Sequence, residues 1–177
     1  CVEDLLTESE WLAIIALAES IGFRPSSLLS DGSRNPYRNN ERVIFHFDPQ
    51  HLTNLLRPHL PPKWEKEWYL VGLNSQMSVL KYGVGEVYGK HVDVPYESSA
   101  TLRSFITVQI YLNDNFAGGE TRFHQDSGFK SMKDRGYFDV MPKTGKALLF
   151  EHELTHEGCC VTEGIKYSAR VDVMYEK

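Results

Sequence analysis

The sequence predicts a mainly β protein with helices at its N-terminal end. Three observations support this prediction. The 177-residue chain is long enough for one domain with a sizeable core. Apolar residues recur at helical spacing before residue 60, whereas from residue 68 onward short runs alternate between apolar and polar residues. Gly-rich turns separate roughly seven or eight such runs, which is typical of a β-sandwich or jelly roll.

Two helices are expected near the N-terminus. The first should cover residues 7–21, because Thr7 and Glu10 have capping-box spacing. The second should open at Asp48-Pro49, since Asp caps helices well and Pro suits the first turn. Between them, residues 24–42 are polar and aperiodic, which predicts a solvated loop or a flap over a site.

The β-rich part should occupy residues 76–175, with residues 1–70 as a helical support and loop, all within one domain spanning residues 1–177. Residues 129–137 mix charged and apolar side chains without a clean period and are a second candidate lid. A short strand is predicted at residues 43–47, within the helical support. The predicted strands of the β-rich part are residues 76–82, 86–94, 103–112, 120–123, 138–141, 146–151 and 165–175.

Composition narrows the function classes. A net charge of -5 offers no broad basic field, so nucleic acid is not an expected partner. The longest apolar run, residues 11–18, is too short to span a bilayer. Three cysteines, two of them adjacent, do not form a disulfide framework and favour a reducing compartment such as the cytoplasm. The compartment stays open, because the chain begins at Cys1 rather than Met.

A metal site is suggested by His91 and Asp93, two positions apart on a predicted strand. Residues i and i+2 face the same side of a strand, so both could reach one ion. A second histidine would complete the two-histidine, one-carboxylate set of non-haem Fe(II) oxygenases. His124, His152 and His156 compete for that place. A basic residue, Lys166, follows His156 at a spacing that would place a cation beyond the metal, which favours His156.

The alternative from another class is a non-catalytic jelly-roll binding module. A histidine and an aspartate two apart occur by chance in many chains. The later histidine, the lysine beyond it and the β-rich setting together favour a metal enzyme over that alternative.

Several motifs, in order along residues 76–175, make the sequence similar to a known family. It resembles the prolyl 4-hydroxylase-like branch of the Fe(II)/2-oxoglutarate dioxygenases. The motifs are Tyr82-X-X-Gly85, His91-X-Asp93, Tyr111-Leu112-Asn113-Asp114, Gly118-Gly119-Glu120-Thr121-Arg122-Phe123, Pro142-X-X-Gly145-X-Ala147-Leu148-Leu149-Phe150, His156-Glu157-Gly158 and Gly164-X-Lys166-Tyr167.

The resemblance implies a double-stranded β-helix, the cupin-like jelly roll. It also implies that Fe(II) is bound by His91, Asp93 and His156. The co-substrate 2-oxoglutarate would pair its far carboxylate with Lys166, and Tyr82 and Tyr111 match tyrosines that hydrogen-bond it. Arg170 departs from the simple pattern, because it shares a strand face with Lys166. It could share that role, bind an acidic substrate group, or form a salt bridge with Glu153 or Asp172.

The implied chemistry is hydroxylation of an unactivated C–H bond. O2 and 2-oxoglutarate are consumed, succinate and CO2 are released, and ascorbate is the expected reductant. A prolyl residue in a peptide or protein is the first expectation for the substrate, with a free amino acid or another small molecule as the alternative. Tyr88 and Arg103 match positions near the entrance where related hydroxylases meet substrate.

Overall fold

A computed structural model of the chain describes residues 1–125 and 136–177. Its helices are α1 (Glu8–Ile21) and α2 (Gln50–Leu56), followed by a 3-10 turn at Arg57–His59. The strands of this described part are β1 (Arg24–Pro25), β2 (Glu41–His46), β3 (Lys63–Trp64), β4 (Trp68–Leu73), β5 (Gln76–Tyr82), β6 (Tyr88–His91), β7 (Glu97–Ser99), β8 (Leu102–Tyr111), β9 (Ala117–Gly118), β10 (Thr121–His124), β11 (Tyr137–Val140), β12 (Ala147–Glu151), β13 (His156–Gly158), β14 (Val161–Glu163) and β15 (Lys166–Glu176).

Both predicted helices form where capping chemistry starts them. The backbone N–H of Thr7 donates to the Glu10 carboxylate at 2.7 Å, which satisfies a donor at the start of α1. The N–H of Gln50 donates to Asp48 at 3.0 Å in the same way, although α2 begins after Pro49 rather than at it. The inward face of α1, formed by Trp11, Ile14, Ile15 and Ala18, packs on the main core. Neither helix in the described part of the chain has the length and apolar character needed to cross a lipid bilayer.

The larger of the two main sheets is antiparallel and is called here the major sheet. Its strands run in the order β1-β2-β5-β15-β4-β3, and β8 adds to β15 together with β12 and β7. Strand β15 is central, because it pairs with β5 on one part of its length and with β8 along most of it. β2 overlaps the short strand predicted at residues 43–47 within the helical support, and it joins this sheet by pairing with β5.

A smaller antiparallel sheet, called here the minor sheet, has the order β11-β10-β13-β6. Phe123, Phe150 and Tyr111 lie buried in a cluster to which both sheets contribute. The main hydrophobic core lies on the helical side of the major sheet and contains Val79, Val108 and Val171. The mainly β class with N-terminal helices is therefore confirmed.

One predicted strand differs from the structure, and one predicted lid lies largely outside the described residues. The strand predicted at residues 86–94 is shorter, because β6 ends at His91 and Pro95 follows. Asp93 therefore follows the strand, and its N–H donates to the backbone oxygen of His152 at 2.9 Å. The candidate lid at residues 129–137 lies, up to residue 135, outside the described residues.

Candidate metal centre

His91 and His156 lie directly opposite each other on neighbouring strands of the minor sheet. Strand pairing puts His156 of β13 in register with His91 of β6, and the two ring centroids are 4.3 Å apart. Asp93 completes the group from the segment after β6. Its Oδ1 lies 3.7 Å from His91 Nε2, and its Oδ2 lies 3.8 Å from His156 Nε2.

Backbone carbonyls hold both imidazole rings in one orientation. His91 Nδ1 lies 2.7 Å from the Gly89 oxygen, and His156 Nδ1 lies 2.8 Å from the Leu154 oxygen. Because a carbonyl only accepts, each Nδ1 carries the proton and each Nε2 presents a lone pair. Metal-ligating histidines are oriented by this kind of hydrogen bond.

These three side chains fit one metal ion. All three offered ligand atoms lie within 4.8 Å of one another. Two atoms that each lie roughly 2.0–2.2 Å from an ion cannot be more than about 4.4 Å apart, and both nitrogen–oxygen distances satisfy this limit. Burial lowers the pKa of His91 to about 4 and lowers that of His156 as well, so the rings are neutral at pH 7, as ligands must be.

Asp93 is surrounded by groups that favour its ionised form. Burial alone would raise its pKa, but the Arg170 guanidinium, the neighbouring histidines and a hydrogen bond from Thr107 lower it overall. Arg170 Nη1 lies 2.7 Å from Asp93 Oδ1, and Arg170 Nη2 lies 3.1 Å from Asp172. Of the salt bridges foreseen for Arg170, the structure therefore has the one with Asp172.

His152, a rival candidate for the third ligand, lies behind the site rather than in it. Thr107 donates to Asp93 Oδ2 at 2.6 Å, so its hydroxyl oxygen must accept from His152 Nδ1 at 2.9 Å. His152 Nε2 then accepts from Ser104 at 2.8 Å, and Ser104 accepts from the N–H of Tyr96. This chain of hydrogen bonds has one consistent direction. It supports Asp93, and sequence reasoning missed Thr107 and Ser104 entirely.

The triad opens into a cavity of about 220 Å³ between the two sheets. Lys166 lies at one end of it, 1% exposed, and donates to the Gly119 oxygen at 2.6 Å. Among the described residues it has no ion-pair partner. Burial lowers the pKa of its ammonium to about 8. An anion that entered the cavity would supply the missing charge.

The tyrosines predicted to bind the co-substrate flank Lys166. Its Nζ lies 5.0 Å from the Tyr82 ring centroid and 5.7 Å from that of Tyr111. Tyr82 lines the cavity, whereas the Tyr111 hydroxyl donates to Thr121 at 2.7 Å. Thr121 also accepts from Gln109 at 2.9 Å, so its own proton is free to point into the cavity that it lines.

The structure brings Tyr88 to the cavity but not Arg103. The Tyr88 ring stacks on the His91 ring, with their centroids 3.6 Å apart. The Arg38 guanidinium also lies over the Tyr88 ring, 4.1 Å from its centroid. Arg103 lines a different groove and pairs with Glu97 at 3.3 Å. His124, the remaining rival ligand, lies 3.3 Å from Glu157 and outside the triad.

Comparison with known proteins agrees with this geometry. The sequence model of the 2OG-Fe(II) oxygenase superfamily matches residues 77–171, more than half of the chain. The chain belongs to this superfamily. The matched range contains all three members of the triad and Lys166.

One relative in sequence is "Probable prolyl 4-hydroxylase 11" of Arabidopsis thaliana, which is 38% identical over 74 residues. The match covers 42% of this chain and 24% of that protein, so the chain spans about a quarter of the length of this superfamily relative.

Solved structures share the fold over nearly the whole chain. The viral collagen prolyl hydroxylase vCPH of Paramecium Bursaria Chlorella virus-1, in its 2OG complex, has a TM-score of 0.67 at 20% identity, covering 99% of this chain and 94% of that one. A Trichoplax adhaerens prolyl hydroxylase in complex with a hypoxia-inducible-factor peptide fragment has a TM-score of 0.70 at 18% identity, covering 97% and 81%. These likenesses confirm the predicted double-stranded β-helix of a superfamily oxygenase.

Proposed function

We propose that the protein is an Fe(II)- and 2-oxoglutarate-dependent oxygenase that hydroxylates an unactivated C–H bond, with a prolyl residue in a peptide or protein as the first substrate class. The observation that carries this proposal is the convergence of His91, Asp93 and His156 on a cavity that is also lined by Lys166, a buried cation with no ion-pair partner in the described part of the chain.

The triad would hold Fe(II) on one face and leave positions open for ligands. The ion, with 2-oxoglutarate and O2, supplies the oxidising chemistry that turns R–H into R–OH while 2-oxoglutarate becomes succinate and CO2. Ascorbate is the proposed reductant that keeps the iron ferrous.

Lys166 would bind the far carboxylate of 2-oxoglutarate. Its ammonium is buried and donates to the Gly119 carbonyl, so a carboxylate would form a charge-assisted hydrogen bond there in a low-dielectric setting. Burial raises the pKa of Tyr82, which keeps its hydroxyl protonated and able to donate. The Thr121 hydroxyl is a further donor at this end of the cavity.

The remaining residues orient and enclose the site. The two carbonyl-bound rings and the hydrogen-bonded Asp93 need little rearrangement to meet an ion, which is the preorganisation that catalysis requires. The stack of Arg38, Tyr88 and His91 covers one side of the cavity and would limit the access of water.

The prolyl substrate is supported by the similarity to a plant prolyl 4-hydroxylase and by the shared fold of two prolyl hydroxylases, one of them solved with a peptide.

Free thiols at Cys1, Cys159 and Cys160 support a reducing compartment for this activity.

The decisive experiment measures iron binding and succinate formation. Protein incubated with Fe(II), 2-oxoglutarate, ascorbate and O2 should release succinate, and proline peptides should yield a product heavier by one oxygen atom. Absence of both iron binding and succinate would favour the non-catalytic binding module instead.

Matched histidine variants test the ligand assignment. His156→Ala should abolish iron binding, whereas His152→Ala should only weaken it, because His152 reaches the site through Thr107. The opposite result would make His152 the ligand and refute the assignment of His156.

A further inference from the structure

The cavity carries more positive charge than the proposed iron and co-substrate need. Its lining includes four cationic side chains, Arg38, Arg42, Lys166 and Arg170, and two carboxylates, Asp93 and Asp172. Fe(II) and the 2-oxoglutarate dianion have charges that cancel. Binding both would therefore leave the excess of cations unchanged.

Two of the four cations already have partners or a proposed role. Arg170 is held by Asp93 and Asp172. Lys166 lies at the proposed co-substrate end. Arg38 and Arg42 remain, and neither forms an ion pair within residues 1–125 and 136–177. The Arg38 Nε is buried without a hydrogen-bond partner.

Sheet register separates Arg42 from the co-substrate end. Arg42 of β2 is opposite Leu80 of β5, and Leu80 is opposite Ser168 of β15. Neighbouring strands lie roughly 4.8 Å apart, so Arg42 stands about 10 Å across the sheet from Ser168. One carboxylate of 2-oxoglutarate bound at Lys166 would not occupy the Arg42 position as well.

The loop that carries Arg38 is tied down over the cavity. Arg34 pairs with Glu86 at 2.6 Å, and the N–H of Val87 donates to the Asn39 side chain at 2.7 Å. The Gly89 N–H donates to the backbone oxygen of Tyr37. These contacts on both sides of Arg38 fix its guanidinium above Tyr88, next to the proposed iron ligand His91.

The two arginines are close enough to affect each other. Burial lowers the pKa of Arg42, and the positive charges of Arg38 and Arg170 lower it further. Two cations held near each other without a counter-ion are costly unless an anion joins them. Guanidinium groups match the planar, bidentate geometry of a carboxylate.

We propose that Arg38 and Arg42 bind a carboxylate of the substrate, so that the hydroxylated molecule carries an acid group close to the reacting carbon. This inference rests on the proposed function for the identity of the reacting centre. The acid group could be the α-carboxylate of a free amino acid or an acidic side chain next to a prolyl residue, and these two sources share one chemistry.

Calorimetric titration of the anaerobic protein with Fe(II) and 2-oxoglutarate separates binding from turnover. The ligands form two pairs that differ only in charge, L-proline against L-prolinamide and acetyl-Pro-Asp-amide against acetyl-Pro-Asn-amide. The acid of one pair should bind about 10- to 100-fold more tightly than its amide. A preference in the first pair identifies a free acid, and one in the second pair identifies a peptide side chain.

Variants assign the preference to the two arginines. Arg42→Gln and Arg38→Gln should each remove most of it, and Arg42→Lys should restore part, because the charge returns without the planar fork. Arg57→Gln should keep the full preference, because Arg57 is exposed and does not line the cavity. Thermal unfolding of each variant shows whether it is folded.

Equal binding of acid and amide in both pairs, no binding of any of them, or a preference that survives Arg42→Gln would overturn the inference. Succinate formation by the wild-type protein is measured separately. Succinate with equal binding would refute the carboxylate site alone. A preserved acid preference without succinate would refute the oxygenase proposal and leave the arginine site standing.

Discussion

Arg170 Nη1 lies 2.7 Å from Asp93 Oδ1, so the proposed carboxylate ligand is also one end of a buried ion pair. Asp172 holds the other side of the same guanidinium. Arg170 therefore pairs with two carboxylates of its own chain, which supports Lys166 rather than Arg170 as the proposed partner of the co-substrate. This ion pair connects β15 of the major sheet to the segment that follows β6 of the minor sheet. It therefore links the candidate metal centre to the central strand of the major sheet.

Replacing Arg170 by Gln should destabilise the metal-free protein by about 3 kcal/mol, because the buried Asp93 and the half-buried Asp172 both lose their counter-charge. Adding a divalent cation should return part of this stability, and the gain should exceed that of the wild-type protein. Chemical denaturation with and without metal measures both effects.

The matched control for this prediction is Arg122→Gln. Arg122 pairs with Asp139 at 2.7 Å in a more exposed setting of the minor sheet, so its loss should cost no more than about 1 kcal/mol. Equal losses in the two variants would show that the Arg170 pair contributes no more than a surface pair.

Thr107→Val should interrupt the hydrogen-bond chain between Asp93 and His152. The valine has nearly the same shape, but it removes the Thr107 hydroxyl from Asp93 Oδ2 and from His152 Nδ1, which costs about 1–3 kcal/mol of stability. Metal affinity should fall about 10- to 100-fold, because groups that orient ligands have effects of this size. Metal titration and thermal unfolding test the two parts.

Thr162→Val is the control, since Thr162 is exposed on β14. It should change stability by less than about 0.5 kcal/mol and leave metal affinity unchanged. Unaltered affinity in Thr107→Val would mean that Asp93 is positioned without the hydroxyl.

His152 should make the stability of the metal-free protein depend on pH between about 6.5 and 4. Burial lowers its pKa in the folded state to about 4, whereas an unfolded histidine titrates near 6.5. The unfolded chain takes up this proton first, so stability falls as pH decreases through that window. His91 acts in the same direction.

His152→Gln should reduce the slope of unfolding free energy against pH by up to about 1.4 kcal/mol per pH unit within the window. Urea unfolding at several pH values gives that slope, and the difference at pH 8 gives the packing cost of the substitution alone. A slope that matches the wild type would contradict a neutral, buried His152.

Gly119→Ala should disturb the proposed co-substrate position at Lys166. A Cβ at this position would lie 3.1 Å from Lys166 Cδ and 3.2 Å from Val161, at a φ of +69°. The lysine would have to move away from the carbonyl that now holds it. The KM for 2-oxoglutarate should rise about tenfold or more, as for any loss of a well-placed charge partner.

Gly32→Ala carries a similar backbone cost without the clash, because φ is +83° and nothing lies within 4 Å of the added methyl. Both variants should lose some stability, and only the Gly119 variant should change the KM. A KM that rises in both would point to a general effect on folding.

The sequence allowed the triad and Lys166 to be chosen because local spacing and motif order identify them. Arg38 and Arg42 could not be placed, since their position depends on how a loop folds back and on which strand lies beside β5. The roles of Thr107 and Ser104 could not be predicted either, because the sequence does not show which side chain a polar residue on a strand will contact.

Arg103 shows why a strand pattern misleads near an irregularity. By simple alternation it would share a face with Thr107 and Gln109, which line the cavity. The pairing of β8 with β15 shifts register between Val173 and Met174, so the alternation changes before Arg103 is reached. Its role at the substrate entrance remains a prediction that this geometry does not favour.

The pairing of β6 with β13 has a consequence for how the protein acquires its activity. The two imidazoles that face each other come from segments far apart along the chain, and their alignment exists only after the minor sheet has closed. A metal ion bound between them would cross-link two distant segments and so close a long loop of the chain. The holoprotein should therefore be more stable than the apoprotein, and newly made chains should acquire the ion only once this sheet has formed.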